Sequence, residues 1–134
     1  MNASFSFQVD RMRDLVRIRM AGLFTHADIA GFLDARRRAH DELRCAPNQH
    51  LTLNDLRDIK IQSQEVVAAF REMLADPALH SRRLAFVAGP TLARSQLMRA
   101  LDGRDARCFD NLEDAEDWLF AGEMERPALR YATR

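Results

Sequence analysis

The chain predicts a single α/β domain built on a mixed five-stranded sheet, its first strand antiparallel and the rest parallel, with four helices in the order ββαβαβαβα. Three observations carry this. Strand-like and helix-like segments alternate along the sequence, which is the signature of βαβ units. The first two strand segments are separated by only a few polar residues, as in an antiparallel hairpin. The third is Leu15-Val16-Arg17-Ile18-Arg19-Met20, where Val16, Ile18 and Met20 alternate with Arg17 and Arg19, so this strand is apolar on one side only.

The elements follow in order. Phe5, Phe7 and Val9 alternate with Ser6 and Gln8 in a short half-buried strand, and Asp10 to Asp14 is the turn into Leu15–Met20. Thr25 is a good helix N-cap, with Asp28 three residues on in a variant capping box. Ile29, Phe32, Leu33, Ala39 and Leu43 then share one helical stripe, so the first helix is expected over Thr25 to Leu43. Arg36 and His40 fall near the centre of that stripe, either as polar groups lining a cavity or, in the plainer reading, with Arg36 snorkelling at the rim of the core and His40 near the helix end. Leu51 and Leu53 define the third strand, with His50, Thr52 and Asn54 opposite, and Asp55 to Gln62 is expected as a polar loop.

Ser63 caps the second helix, whose buried stripe is Val66, Val67, Phe70, Met73 and Leu74 and which Asp76-Pro77 stops. Leu84 to Ala88 is apolar throughout and reads as a central strand. Gly89-Pro90-Thr91 leads into a third helix with Leu92, Leu97, Ala100 and Leu101 inward, closed by Asp102-Gly103. Ala106 to Phe109 is the last strand, with Cys108 packed under the fourth helix. Asn111 caps that helix, which Ala115, Trp118 and Leu119 anchor. Periodicity is lost from about residue 122, giving a domain over 1–121 and a flexible tail over 122–134.

Parallel crossovers are right-handed, so three successive steps in one direction place every helix on one side of the sheet. The other side, carrying Arg17, Arg19 and Thr52, is then an open, polar surface. A doubly wound sheet with helices on both faces is the competing layout.

Composition narrows the function classes. The 134 residues are 47% hydrophobic and 30% charged, as in an ordinary folded domain. Twenty Lys and Arg balance twenty Asp and Glu, which provides no global attraction to nucleic acid or anionic membrane. No apolar run approaches the ~20 residues of a membrane span, and no secretory leader is visible at Met1 to Phe5, so the expected location is cytoplasmic with Cys45 and Cys108 reduced. His26, His50 and His80 show no ligand spacing, and neither a metal nor another cofactor is expected. No nucleophile elbow, zinc-protease motif or Cys/His pair is present, so an enzyme is not expected.

The element order, the Gly22 to Thr25 entry into the first helix, and the ending from Leu92-Ala93-Arg94-Ser95-Gln96-Leu97-Met98 through Arg107-Cys108-Phe109 to Glu113-Asp114-Ala115-Glu116-Asp117-Trp118-Leu119 resemble the STAS-like, or SpoIIAA-like, domains. The likeness is to stand-alone bacterial members of the anti-sigma factor antagonist type and covers residues 5 to 120. It implies a non-enzymatic regulatory module that binds a protein partner, controlled by phosphorylation of a serine at the start of the second helix. Of that motif only Ser63 carries over; the acidic residue before it and the glycine after it are absent. Serine at a helix start also has the plainer role of a cap.

The expected partner surface comprises Arg17, Arg19 and Thr52 on the sheet, with Asn54, Asp55, Arg57 and Asp58 at the carboxyl end of strand three, the edge where open α/β sheets bind ligands. An isologous homodimer through the open sheet is equally compatible. The alternative reading, implied by related lipid-binding domains, is a carrier or sensor of a small apolar ligand held between sheet and helices by Phe32, Phe70 and Phe86. Gly89-Pro90-Thr91 with Arg94 is a weak anion cradle, lacking the glycines and lysine of a phosphate loop.

Overall fold

The computed structural model describes residues 2–100 and 106–125. Its elements are β1 (Ser4–Asp10), β2 (Leu15–Gly22), α1 (His26–Asp41), β3 (Leu51–Ile59), α2 (Gln64–Ala75), β4 (Arg83–Val87), α3 (Leu92–Ala100), β5 (Ala106–Phe109) and α4 (Leu112–Glu125), with one 3-10 turn at Pro77–Leu79. The strands lie side by side in chain order, β1 antiparallel to β2 and the rest parallel. This is the expected ββαβαβαβα sheet.

Local chemistry sets the boundaries. Thr25 closes a reciprocal capping box with Asp28, the Thr25 hydroxyl accepting the Asp28 N–H at 3.2 Å and the Asp28 carboxylate accepting the Thr25 N–H at 2.8 Å. Ser63 caps α2 by accepting the Val66 N–H, and Asn111 caps α4 by accepting the Asp114 N–H. Gly22 sits at φ +81°, and a Cβ there would lie 2.2 Å from the Asn2 carbonyl oxygen, so only glycine fits this strand end.

The expected single-sided layering is overturned. Val16, Ile18, Met20, Leu84 and Phe86 pack with Ile29, Phe32 and Val66 on the face covered by α1 and α2, with α3 packed beside α2. Leu15, Leu51, Leu53, Ala85 and Val87 instead meet Ala115 and Leu119 of α4 on the opposite face. The reason lies in register: Leu53 is paired with Arg17 and Thr52 with Val16, so the leucines of β3 share the arginine side of β2. With β4 apolar on both sides, the β3–β4 half of the sheet needs cover above and below. α4 supplies it; among the described elements it connects no two strands, so the handedness rule for crossovers does not bear on it.

Other expectations are corrected by the same packing. β3 continues through Asp55–Ile59, where a loop was expected; beyond Asp55, which still pairs with Val87 of β4, the stretch pairs with β2 alone, and Arg57 and Asp58 face water as on an edge strand. Cys108 lies on the α1/α2 face, level with Phe86, and not under α4. Leu92 is 68% exposed rather than inward. Of the other residues expected inward on α3, Leu101 lies outside the described residues. α4 runs to Glu125, past the expected boundary at 121, and the rest of the expected tail lies outside the described residues.

Candidate functional site

The bare part of the sheet is smaller than a whole face. α4 covers β3, β4 and β5, leaving the outer side of the β1–β2 hairpin and the outer half of β3 uncovered. Arg17 bridges to Glu116 of α4 and marks the border. Beyond it Arg19 pairs with Asp58 at 2.5 Å, and Arg57 makes a two-pronged pair with Asp55 at 2.9 and 2.8 Å. The Arg57 hydrogen bond holds the Asp55 carboxyl below the usual carboxylate range, and the same pairing raises Arg57. Between this strip and α4 runs a groove of about 220 Å³ lined by Ser6, Gln8, Arg17, Asp55, Leu112 and Glu116. The strip presents guanidinium and carboxylate groups in partly satisfied pairs, the chemistry of polar macromolecular recognition.

Five of the seven residues expected on a partner surface therefore gather here: Arg17, Arg19, Asp55, Arg57 and Asp58. Thr52 and Asn54 do not. Both are buried beneath α1 and α2, on the opposite face. The Thr52 and Ser81 hydroxyls share a 2.5 Å hydrogen bond, and Ser81 lies 3.3 Å from His50 Nε2. Arg36, also expected at the rim, is buried with them and donates from Nη2 to the Leu79 carbonyl. The His40 ring meets the His50 ring edge-on at 4.6 Å. Burial, reinforced by the nearby Arg36 charge and opposed by Asp41, depresses the His40 pKa to about 4.

Ser63 stands exposed at the N-terminus of α2, its Oγ 3.2 Å from the Val66 nitrogen. One turn into the helix, Glu65 lies 3.1 Å from His26 Nε2. The residue before Ser63 holds the loop. Gln62 is buried, accepts the Phe24 N–H at 2.8 Å and donates to the carbonyls of Gly22 and Lys60. Its own backbone exchanges two hydrogen bonds with the Gln96 amide of α3, both 3.1 Å. Gln62 thus ties the end of β2, the β3–α2 loop and α3 together. It escaped the sequence reading because a glutamine in a polar loop has no periodicity to mark it; its one signal was its place directly before a helix cap.

The three phenylalanines expected to line a ligand cavity divide. Phe32 is fully buried at the hub of an aromatic cluster with Phe5, Phe7, Phe24 and Phe70 at centroid distances of 5.0 to 6.5 Å. Phe70 and Phe86 border a cavity of about 60 Å³ under α2, too small to enclose a lipid-like ligand. Burial raises both Cys45 and Cys108 thiols. Arg94 turns to Asp110 at 3.2 Å while Thr91 caps α3. Among the described residues no three His, Cys, Asp or Glu side chains converge as a metal site, and no helix is long and apolar enough to cross a membrane.

No protein-family model matches the chain, and no curated protein matches it. Solved structures do. An uncharacterized protein of the DUF3478 family with a SpoIIAA-like fold, from Shewanella loihica, superposes with a TM-score of 0.69 at 15% identity, over 89% of this chain and 96% of that one. An anti-sigma factor antagonist from Mycobacterium paratuberculosis superposes with a TM-score of 0.54 at 18% identity, over 87% and 94%. The chain has a SpoIIAA-like fold, as the resemblance in its sequence implies.

Proposed function

We propose that this protein is a non-enzymatic, cytoplasmic regulatory module of the STAS-like type that works by binding another protein. The observation that carries the reading is the uncovered charged strip. α4 shields the apolar half of its sheet face and stops at Arg17, leaving Arg19, Arg57 and Asp58 to solvent, with the mostly buried Asp55 carboxylate between them, beside an open groove. Exposed pairs of this kind contribute little to stability, so the stretch is free to serve recognition. Likeness to an anti-sigma factor antagonist supports a protein as the partner. Ser63, exposed at a helix N-terminus where a phosphate is electrostatically favoured, is the proposed point of control.

The test has two steps. A partner captured from the native cell and purified is titrated against the wild type and Arg19→Glu. The expected result is a loss of affinity of about tenfold or more, because a like charge is set against a complementary surface. Undiminished binding by a folded Arg19→Glu protein removes the strip as the contact surface. In parallel, incubation with a cognate kinase and mass spectrometry reads modification of Ser63, and an unmodified Ser63 in a competent assay removes the switch.

A further inference from the structure

Asn54 stands in the wall between the cavity under α2 and a smaller one of about 30 Å³ beside Arg36, His40 and Thr52. Asn54 is 7% exposed, and its Oδ1 is buried without a hydrogen-bond partner. A buried acceptor left unpaired is costly, so its presence calls for an occupant. Asn54 forms part of the wall, and Met20, Leu56, Phe70, Met73 and Phe86 make the rest largely apolar. Gln62 and Gln96 stand at the same site, but each is already engaged, Gln62 with Phe24 and Gly22, Gln96 with the backbone of Gln62.

A water molecule is a poor occupant, because ordered buried water makes two to four hydrogen bonds and this wall leaves it chiefly one. A charged ligand is worse: Lys60 is the charged residue of the lining and is itself solvent-exposed, so a charge held against Asn54 would be desolvated without a buried counter-charge. A long acyl chain exceeds the enclosed 60 Å³, although the space grows to about 550 Å³ when the open mouth is counted. What suits the site is a compact apolar body with a single donor. Two flexible methionines in the wall adapt to such a body.

We propose that the cleft between β3, α2 and α3 binds a small uncharged, largely apolar molecule of about one ring, its lone O–H or N–H donated to Asn54 Oδ1 and its body packed against Phe70, Phe86 and the methionines. This goes beyond the partner-binding reading, and the two fail separately, because the charged strip lies on the other face of the sheet.

Phenol and fluorobenzene, nearly equal in size but differing in the donor, are the probes. Methyl spectra of the full chain labelled at methionine should show saturable shifts at Met20 and Met73 with millimolar phenol. Fluorobenzene should bind about tenfold more weakly. In Asn54→Leu, which keeps the volume and removes the acceptor, that preference should vanish while the thermal transition is retained. Unmoved Met20 and Met73 methyls, or equal binding of both probes to the wild type, overturns the proposal. If Asn54→Leu does not fold, the wild-type contrast decides alone, with contacts from phenol protons to the Met20 and Met73 methyls expected.

Discussion

The two faces of this sheet are held by different means. On one, α1 and α2, with α3 beside α2, lie over an aromatic cluster: Phe5 and Phe7 from β1, Phe24 from the β2 exit, Phe32 from α1 and Phe70 from α2 interlock mostly edge to face. On the other, a single helix lies over aliphatic strand residues and is held at its flanks by arginines. Arg83 and Arg107 stack on Trp118 at 5.2 and 5.5 Å, Arg83 also donates to the Trp118 carbonyl at 2.6 Å, and Arg13 stacks on Phe120 at 4.4 Å. The first face is a core shared by most of the chain. The second is a local clamp whose reach ends where the strands turn polar. An uncovered charged strip and a core thus coexist on one sheet.

The contrast predicts a ranking. Phe32→Ala removes the centre of the aromatic cluster and should cost about 3–5 kcal/mol in denaturant unfolding. Leu119→Ala on the clamp face should cost about 2–3 kcal/mol, toward the low end for a buried leucine, because one helix can shift to close the void. Equal losses, or a larger one at Leu119, would break the picture of a principal core and a lesser clamp.

Much of this was legible in the chain and part was misread. Element order, the Thr25 and Ser63 caps, and the antiparallel start follow from periodicity and turn chemistry within short windows. The layering does not, because it depends on which residue of β3 faces which residue of β2. A one-residue change of register exchanges the two faces of a strand; with Leu51 and Leu53 assigned to the Val16 side, Thr52 fell on the arginine side and the second face looked bare. The corrective signal was Leu84 to Ala88, apolar at every position and so in need of cover twice over. Asn54 was placed on the wrong face for the same reason: a polar residue beside Asp55 and Arg57 in sequence lies on the opposite face in space.

His40 sharpens the comparison through pH. Its folded-state pKa of about 4 lies below the ordinary 6.5, so the unfolded chain takes up the proton first as the solution is acidified. Stability from this group is present in full above about pH 6.5 and is lost as pH falls toward 4. Allowing for the ring's partial exposure, the loss is on the order of 1–2 kcal/mol. Denaturation of wild type and His40→Gln at pH 7 and pH 4.5 should show a smaller acid loss in the variant. An unchanged pH slope would mean that the three-helix face tolerates the charged ring.

Ser63→Ala should lower stability by about 1 kcal/mol through loss of the cap, and Ser63→Asp should restore most of it, since aspartate caps as well as serine and complements the helix dipole. Thermal melts of the three proteins check this. A full cost for Ser63→Asp would argue that a negative charge is unwelcome there, against a phosphate at that position.

The smallest effect is expected where the proposed function is concentrated. Arg19→Ala breaks the pair with Asp58, whose side chains are each about half exposed, and Arg57→Ala breaks the pair with Asp55. Each should change stability by about 1 kcal/mol or less, because both arginines are half exposed and exposed ion pairs gain little over their hydrated partners, with Arg57→Ala the costlier of the two since the Asp55 side chain is only 14% exposed. Chemical denaturation of the two variants decides the point. A loss near that of Leu119→Ala in either would make the strip a structural element, which cannot be spared for a partner. A negligible loss would leave four charged side chains whose placement folding does not require, on the only part of that face α4 leaves open among the described residues.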